Sequence, residues 1–167
     1  RNLSSLKAFH NYLILKDITK DNPCVKIETP KFFKSIPSSL SEIQIEKLLD
    51  APDEKTFIGL RDKTMIETLY SCGLRISELV NLEIIHVNLR QGVIRVIGKG
   101  QKERLVPMGQ KLISLVEIYL DKLKENKMRD VTNYVFLSQK GKKITRQAFW
   151  HRIKIYAKKI GLEDSKI

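Results

Sequence analysis

The sequence predicts a mainly α-helical fold that also contains a small antiparallel β-sheet, an α+β class. Two observations favour it. Several segments repeat apolar residues with the period of an α-helix, and two segments of strand composition flank a polar turn. With 167 residues, of which 42% are hydrophobic, the chain is long enough to bury a core and too apolar for a disordered protein.

The N-terminal part of the chain separates into a helix and a linker. Residues 2–15 carry apolar side chains at helical spacing, and the Asp-Asn-Pro sequence at 21–23 breaks the pattern. Pro30 and Pro37 disfavour a helix in the basic segment that follows, which is typical of an extended linker. We therefore expect a helical part over residues 1–28, a linker over 29–40 and a second domain over 41–167.

The second domain is expected to begin with helices whose ends are marked in the sequence. Ser41 and Gln44 fit a capping box that would start the first of them. The next helix is predicted over 53–72, and Gly73 stands where a left-handed glycine ends a helix. A short helix should follow over 75–82.

A β-hairpin and two further helices complete the predicted fold. The hairpin joins two segments of strand composition through a polar tip that contains two glycines. Thr145 is a good N-cap for a final basic helix, which Gly161 would end. The expected elements are strands at 93–97 and 105–108, a short strand or extended piece at 134–137, and helices at 110–125 and 146–160.

The charge of the chain points to a polyanionic partner. The net charge is +12 at pH 7 and the pI is about 9.7, which is typical of a domain that neutralises phosphates. Between residues 139 and 160 stand eight lysines or arginines and no acidic residue. A predicted helix that carries only positive charges favours nucleic acid as the partner. A solvated basic surface without a particular partner would have the same composition.

The cysteines and histidines give no reason to expect a metal or another cofactor. Cys24 and Cys72 have no CxxC spacing and no nearby histidine cluster, so free thiols in a reducing cytosol are the simplest interpretation. No apolar run approaches the ~18 residues of a membrane span, and we find no signal peptide. Because the chain starts at Arg1 rather than at methionine, we expect it to be a piece of a longer protein.

Arg75 lies at the start of a predicted helix, directly after a glycine turn. Helix N-termini attract phosphate, and an arginine binds phosphate through two hydrogen bonds. Glu78, three residues on, shares the helix face of Arg75. Taken alone, this spacing is also that of an ordinary surface ion pair, worth roughly 0.3 kcal/mol.

The predicted hairpin tip carries Lys99 between two glycines, which would let the backbone approach another chain closely. Lys102 and Arg104 follow in the direction of the second strand. These two residues could contact a phosphate backbone or keep an edge strand soluble. Taken alone, Lys99 is most simply interpreted as a solvated turn lysine.

The last predicted helix begins with Arg146 and Gln147. The first residues of a recognition helix reach base edges in a DNA major groove, where arginine suits guanine and glutamine suits adenine. The alternative is the first turn of an ordinary surface helix. Trp150 is expected in the core rather than stacked on a base.

Three strings together are more specific than these separate patterns: CGLRISELVNL, VIRVIGKGQKERLVPMG and ITRQAFWHRIKIYAKKIGL. In their order and spacing they closely resemble the catalytic domain of the tyrosine recombinases, and best the Xer type of bacterial site-specific recombinases and phage-like integrases. The opening RNLSSLKAFHNYL, with the later NPC and IETPK, is similar to the last helix of the family's core-binding domain and its linker. The resemblance covers essentially the whole chain.

The resemblance implies a reaction. In this family a tyrosine attacks a DNA phosphate, forms a 3′-phosphotyrosyl link and releases a 5′-hydroxyl, without a metal or nucleotide cofactor. By position, Arg75 matches the first catalytic arginine and Lys99 the hairpin lysine that protonates the 5′-oxygen. Glu78 matches the acidic residue that orients and supports the site.

The resemblance also implies the partners. They are double-stranded DNA with an inverted-repeat recombination site and further protomers. The protomers would form a homotetramer or a heterotetramer with a paralogue. The expected location is the bacterial cytoplasm, at the nucleoid and not at a membrane. The residues expected to contact DNA are Lys102, Arg104, Arg146, Gln147, Lys142, Lys143, Arg1 and Lys7. Residues 1–28 would be the end of the core-binding domain, and 41–167 an incomplete catalytic domain.

Some parts of the family's site have no counterpart in this chain. The His-x-x-Arg motif, a later histidine or tryptophan and the nucleophilic tyrosine would follow Gly161, so we expect the 167-residue chain alone not to cleave DNA. The five tyrosines are expected to serve packing (Tyr12, Tyr70, Tyr119, Tyr134 and Tyr156). The alternatives are a helix-turn-helix DNA-binding regulator, which gives Lys99 no role, and a general basic RNA-binding or structural protein, whose binding would be indifferent to sequence.

Overall fold

The computed structural model of the protein describes residues 2–27, 39–98, 102–127 and 132–162. Its elements are α1 (Asn2–Leu15), α2 (Glu42–Asp50), α3 (Phe57–Cys72), α4 (Ile76–Val80), a 3-10 turn (Ile84–His86), β1 (Val87–Asn88), β2 (Val93–Ile97), β3 (Glu103–Pro107), α5 (Gln110–Glu125) and α6 (Arg146–Lys159). The predicted α+β class is confirmed, with β1, β2 and β3 forming an antiparallel sheet in that order. The chain divides into two compact units, Arg1–Pro37 and Ser38–Ile167.

The first unit consists of α1 and a segment that folds back along it. The side-chain nitrogen of Asn22 donates to the carbonyl of Lys7 at 3.2 Å and to Oδ1 of Asn11 at 2.7 Å. The Oδ1 atom of Asn22 accepts from the amide of Cys24 at 3.0 Å. The Lys7 ammonium donates to the carbonyl of Ile27 at 3.1 Å, so both ends of the returning segment are tied to the helix.

Caps decide where the helices of the second unit begin and end. Ser41 and Gln44 form the predicted capping box ahead of α2. Helix α3 begins after Thr56 rather than at the predicted residue 53, because the Thr56 hydroxyl accepts from the amide three residues on at 3.0 Å. Gly73 ends α3 with φ 56° and ψ 36°, the predicted left-handed conformation.

The sheet is organised around β2. Its register with β3 pairs Ile94 with Val106. Two residues further along, Val96 pairs with Arg104, so all four side chains share the face that packs on the core. Strand β3 begins at Glu103, earlier than predicted, because pairing with β2 continues to the base of the hairpin. The sequence does not predict β1, which is too short to show an alternating pattern.

The core of the second unit lies among α3, α5, α6 and the inner face of the sheet. Its largest fully buried side chains are Tyr119, Phe136, Phe149, Met65, Leu79, Ile94, Leu112 and Leu123. The segment 134–137, predicted as a short strand or an extended piece, forms isolated bridges at its two ends, to Glu83 and to Lys143. Hydrogen bonds also hold it, since the Val135 amide donates to the carbonyl of Leu82 at 2.8 Å and the Leu137 amide to the Tyr119 hydroxyl at 3.2 Å. The Phe136 ring stacks on Tyr119 with centroids 5.7 Å apart.

Three aromatic side chains differ from the prediction. The prediction that Trp150 lies in the core is wrong, because its side chain is 38% exposed. Phe149 faces the buried side of α6, and the next residue points about 100° away around the helix. The packing interpretation is also wrong for Tyr12 and Tyr70, which are 54% and 57% exposed. It is confirmed for Tyr119, which is fully buried.

A buried carboxylate ties three segments of the second unit together. Asp62 of α3 is fully buried, and its Oδ1 accepts from Nε and Nη2 of Arg61 at 2.9 and 2.6 Å. Its Oδ2 accepts from Nε of Arg152 at 2.6 Å and from the Tyr156 hydroxyl at 2.8 Å, both on α6. Nη1 of Arg61 donates to the carbonyl of Leu137 at 3.0 Å. Burial, and then the hydrogen bond to the Asp62 carboxylate, raises the pKa of Tyr156 to about 12, so its hydroxyl remains a donor at neutral pH.

Candidate active site

The turn after α3 presents Arg75 to solvent. Gly73 reverses the chain in its left-handed conformation, and Leu74 anchors the turn because it is buried. Arg75 has an extended backbone, with φ −71° and ψ 149°, as the residue that precedes α4. Its side chain is 72% exposed, so the guanidinium is accessible to an anion from solvent.

Glu78 joins two arginines that come from different elements. Its Oε1 accepts from Nη1 of Arg75 at 2.9 Å and from Nη1 of Arg104 at 3.0 Å. Its Oε2 accepts from the backbone amide of Arg75 at 2.9 Å and from Nη2 of Arg104 at 2.8 Å. We call these three residues the Glu78 cluster. Because the Glu78 side chain is only 6% exposed and is shared, its contact with Arg75 is more than an isolated surface ion pair.

The cluster keeps its carboxylate ionised. The hydrogen bonds from Arg104 lower the pKa of Glu78 to about 2, burial opposes this change, and the hydrogen bonds from Arg75 add to the lowering. The same hydrogen bonds raise the pKa of Arg104. Glu78 therefore keeps its negative charge at neutral and mildly acidic pH.

Glu78→Gln is expected to lower the free energy of unfolding at neutral pH and to lose this effect in acid. The pKa of Glu78 is about 2 in the folded chain and returns to about 4.3 on unfolding. A carboxyl whose pKa is depressed stabilises the fold above its unfolded pKa, and this stabilisation is lost as the pH falls through the folded pKa. Urea denaturation at several pH values measures the difference between the two chains, which should shrink between about pH 4.3 and pH 2.

The matched control for this comparison is Glu117→Gln, which removes an exposed carboxylate on α5. We expect it to change the free energy of unfolding little across the same range. A Glu78→Gln difference that stays constant down to about pH 2 would contradict the assigned ionisation.

The base of the β2–β3 hairpin lies beside the Glu78 cluster. The amide of Gly98 donates to the carbonyl of Lys102 at 2.9 Å. A Cβ atom placed on Gly98 would lie 3.7 Å from Nη1 of Arg104 and 3.9 Å from Oε1 of Glu78. Lys99 itself lies outside the described residues, but the residue that precedes it in the chain is next to the cluster.

A cleft of about 550 Å³ opens beside Arg75. One wall is formed by α4 and the segment that follows it, and the other by residues 95–98 of β2 and the hairpin base. Arg75 and the hairpin base therefore face the same space. The charged and titratable side chains that line the cleft are Arg75, Glu78, Glu83, His86 and Arg95.

Three other residues predicted to contact DNA lie in the second unit near these elements. The Lys143 ammonium donates to Oδ1 of Asn81, just after α4, at 2.8 Å. It also lies 4.6 Å from the centroid of the Tyr134 ring. Lys102 is exposed at the hairpin base, and Lys142 is exposed beside Lys143.

The remaining predicted contacts lie elsewhere. Arg146 and Gln147 are exposed in the first turn of α6, which the Thr145 hydroxyl caps as predicted. Among the described residues, no hydrogen bond or ion pair links them to the Glu78 cluster. Lys7 belongs to the first unit, and Arg1 lies outside the described residues.

The sequence predicts Arg104 as a DNA contact and does not predict its pairing with Glu78. One signal was present: Arg104 and Val106 alternate with Glu103 and Leu105, so the first two share one face of the strand. However, 26 residues separate Arg104 from Glu78, and no local pattern indicates a contact over that separation. Contact of Arg104 with DNA stays a prediction.

Within the described ranges, no group of three or more His, Cys, Asp or Glu side chains could hold a metal ion. Of the helices that the structure describes, none is both long and apolar enough to cross a membrane.

This fold belongs to a known class of protein. Residues 38–167 match the phage integrase family, and the chain is a member of that family. The resemblance to Xer-type tyrosine recombinases, which the three sequence strings predict, is confirmed by the curated relatives described next.

The chain is similar to the tyrosine recombinase XerD of several bacteria. It is 49% identical over 168 residues to XerD of Proteus mirabilis, a match that covers 100% of this chain and 54% of the relative. It is 46% identical over 164 residues to XerD of Shewanella oneidensis, covering 98% of this chain and 55% of the relative. The chain therefore spans about half the length of the curated relatives it matches.

Solved structures share the fold. The crystal structure of XerA recombinase aligns with a TM-score of 0.67 at 26% identity, over 95% of this chain and 54% of that chain. The Tn1549 transposon integrase, in complex with circular intermediate DNA, aligns with a TM-score of 0.72 at 20% identity, over 95% of this chain and 56% of that chain.

Proposed function

We propose that the protein cuts and rejoins DNA at specific sites through a 3′-phosphotyrosyl intermediate, and that this chain contributes Arg75, Glu78 and Lys99 to the reaction. The observation that carries the proposal is an exposed arginine held by a buried carboxylate, next to the base of the hairpin that leads into Lys99. Membership of the phage integrase family and the similarity to XerD support the same reaction.

Arg75 stabilises the transition state in this mechanism. A DNA phosphate under attack gathers negative charge on its non-bridging oxygens, and a guanidinium binds two such oxygens through parallel hydrogen bonds. Glu78 holds Nη1 of Arg75, while the remainder of this exposed side chain is left for the phosphate. Because the cation is in place before the reaction, no reorganisation is needed when the charge develops.

Lys99 acts as the general acid. The attacking tyrosine oxygen forms a bond to phosphorus as the bond to the 5′-oxygen breaks, and the departing oxygen takes a proton from the Lys99 ammonium. The proximity of Gly98 to the Glu78 cluster supports a position for Lys99 near the phosphate that Arg75 binds. The tyrosine and the His-x-x-Arg motif come, in this proposal, from residues outside these 167.

The substrate is double-stranded DNA with an inverted-repeat site, and the active form is a homotetramer or a heterotetramer with a paralogue. The net charge of +12 supports a phosphate-rich partner. Among similar structures, XerH is bound to its difH substrate, and a lambda integrase tetramer is bound to a Holliday junction. The contacts to DNA come from Lys7, Lys102, Lys142, Arg146 and Gln147. The reaction takes place in the bacterial cytoplasm at the nucleoid.

The two units take different roles in the proposal. Residues 1–28 form the end of a core-binding domain, 29–40 a linker, and 41–167 the catalytic domain. The division of the chain into Arg1–Pro37 and Ser38–Ile167 supports a boundary in this region.

Covalent trapping tests the proposal. The protein, expressed from its complete gene, is incubated with duplexes that carry an inverted repeat selected from the DNA of its host by binding. A nick beside the cleavage position lets the released strand diffuse away. We expect a protein–DNA adduct that resists SDS. Binding to the repeat without an adduct on either strand would contradict the proposal and favour a DNA-binding regulator.

The same assay tests the role of Lys99. Lys99→Ala is expected to slow adduct formation on ordinary DNA, because the 5′-oxygen then leaves without a proton. A substrate with sulfur in place of that oxygen needs no proton, since a thiolate is a good leaving group, and should react with the variant nearly as fast as with the unaltered protein. Equal losses on both substrates would exclude Lys99 as the general acid.

A further inference from the structure

We propose that Arg104 is a positioning residue that couples the orientation of Arg75, through Glu78, to the base of the hairpin that leads into Lys99. This inference rests on the proposed function, because it assigns the task of Arg104 within the same site. It differs from the role that the sequence predicts for Arg104, which is direct contact with DNA.

The pleat of the sheet directs Arg104 toward the domain. Arg104 pairs with Val96, which is buried, whereas its neighbours Glu103 and Leu105 are exposed on the opposite face. Its side chain is 39% exposed, compared with 72% for Arg75. Of the two arginines that share Glu78, Arg75 is therefore the one more open to solvent.

The carboxylate of Glu78 is divided between the two arginines. Each of its oxygens accepts one hydrogen bond from Arg75 and one from Arg104, at 2.8 to 3.0 Å. In the part of the chain that the structure describes, Glu78 is the ion-pair partner of Arg75. The rotamer of Glu78 therefore decides where the exposed guanidinium of Arg75 points, and Arg104 fixes that rotamer with two parallel bonds.

The hairpin base belongs to the same group of contacts. Nη1 of Arg104 lies 3.7 Å from the position that a Cβ atom would take on Gly98, and the Gly98 amide closes the hairpin onto Lys102. Because Arg104 lies on β3, it connects the strand that leaves the hairpin tip to α4, where Arg75 stands. Movement of the hairpin base and rotation of Arg75 are thus coupled through one carboxylate.

Single-turnover cleavage separates positioning from DNA contact. With saturating DNA, Arg104→Ala in the protein expressed from its complete gene should lower the rate of adduct formation about 10²-fold, because a small displacement of a reacting group has an effect of this size. The affinity for DNA and its dependence on salt should stay unchanged. Weaker binding together with a salt slope reduced by about 1 identifies a phosphate contact and overturns the proposal.

Two further variants sharpen the test. Arg104→Lys keeps the charge but not the two parallel bonds, so its rate should stay low. Glu78→Gln alone and the double variant Glu78→Gln/Arg104→Ala should slow adduct formation by similar factors, because either change breaks the same connection between Arg104 and Arg75. If the rate loss of the double variant is instead the product of the two single losses, the two residues act independently. Arg90→Ala, at an exposed position between β1 and β2 at the other end of the sheet, is the matched control and should cleave at the rate of the unaltered protein.

Amide hydrogen exchange tests the coupling without chemistry. The Arg75 amide donates to Glu78 and the Gly98 amide to Lys102, so both report on the cluster. Arg104→Ala should speed exchange at both amides, and Arg90→Ala at neither. Unchanged exchange at either amide overturns the coupling. Failure of the unaltered protein to form any adduct contradicts the proposed function instead, and the exchange result still decides whether Arg104 orders Arg75.

Discussion

Arg75→Ala is expected to lower the rate of covalent DNA attachment about 10³-fold, while DNA binding changes only a few-fold. The reason is geometric. The Arg75 guanidinium is exposed, and Glu78 holds it by one nitrogen, so its loss removes a preorganised cation from the phosphate at the moment that negative charge develops. The rate is measured as single-turnover formation of the SDS-resistant adduct on a nicked duplex at saturating protein.

The choice of controls makes this result interpretable. Arg75→Lys restores the positive charge but offers no planar pair of donors, so it should recover only part of the rate. Arg90→Ala removes an exposed arginine from the same unit and should leave the rate unchanged. An Arg75→Ala rate within ten-fold of the unaltered protein would remove Arg75 from the proposed site.

Asp62→Ala is expected to lower the free energy of unfolding by about 3–5 kcal/mol, the largest effect on stability that we predict. Asp62 is fully buried and accepts from Arg61, Arg152 and Tyr156. Without it, Arg61 remains 6% exposed and loses the carboxylate that balances its charge, which is far more costly than loss of a surface pair. Urea denaturation of the chain at neutral pH measures the difference.

Two variants accompany this measurement. Asp62→Asn keeps the shape and some of the hydrogen bonds, so a large loss in this variant attributes the effect to charge rather than to an empty space. Asp121→Ala removes the carboxylate of an exposed pair with Lys124 and should cost less than about 1 kcal/mol. If Asp62→Ala costs no more than Asp121→Ala, the buried network contributes little to the stability of the fold.

Features that depend on a few neighbouring residues could be predicted from the sequence. The capping box of Ser41, the left-handed Gly73 and the N-cap at Thr145 are each set by local backbone geometry and one side chain. The position of Arg75 at the start of a helix follows from Gly73 in the same way. These local rules therefore predict where Arg75 lies in the candidate site.

Features that depend on distant residues could not be predicted in this way. Arg104 meets Glu78 across 26 residues, and Asp62 meets Arg152 across 90. Which face of a helix becomes buried also depends on its neighbours, which is why Trp150 is more exposed than its apolar ring suggests. Tertiary packing decides these contacts, and the sequence shows only the residue types that can make them.

The buried carboxylate of Asp62 links folding to protein synthesis. Its partners on α6 are made 90 and 94 residues later, so at about 5–20 residues per second the ribosome needs roughly 5–20 s to supply them. During that interval Arg61 can pair with Oδ1, but burial of Asp62 would leave Oδ2 without its donors Arg152 and Tyr156, which is costly. The packing of α3 against α6 around Asp62 can therefore be completed only after α6 has left the ribosome.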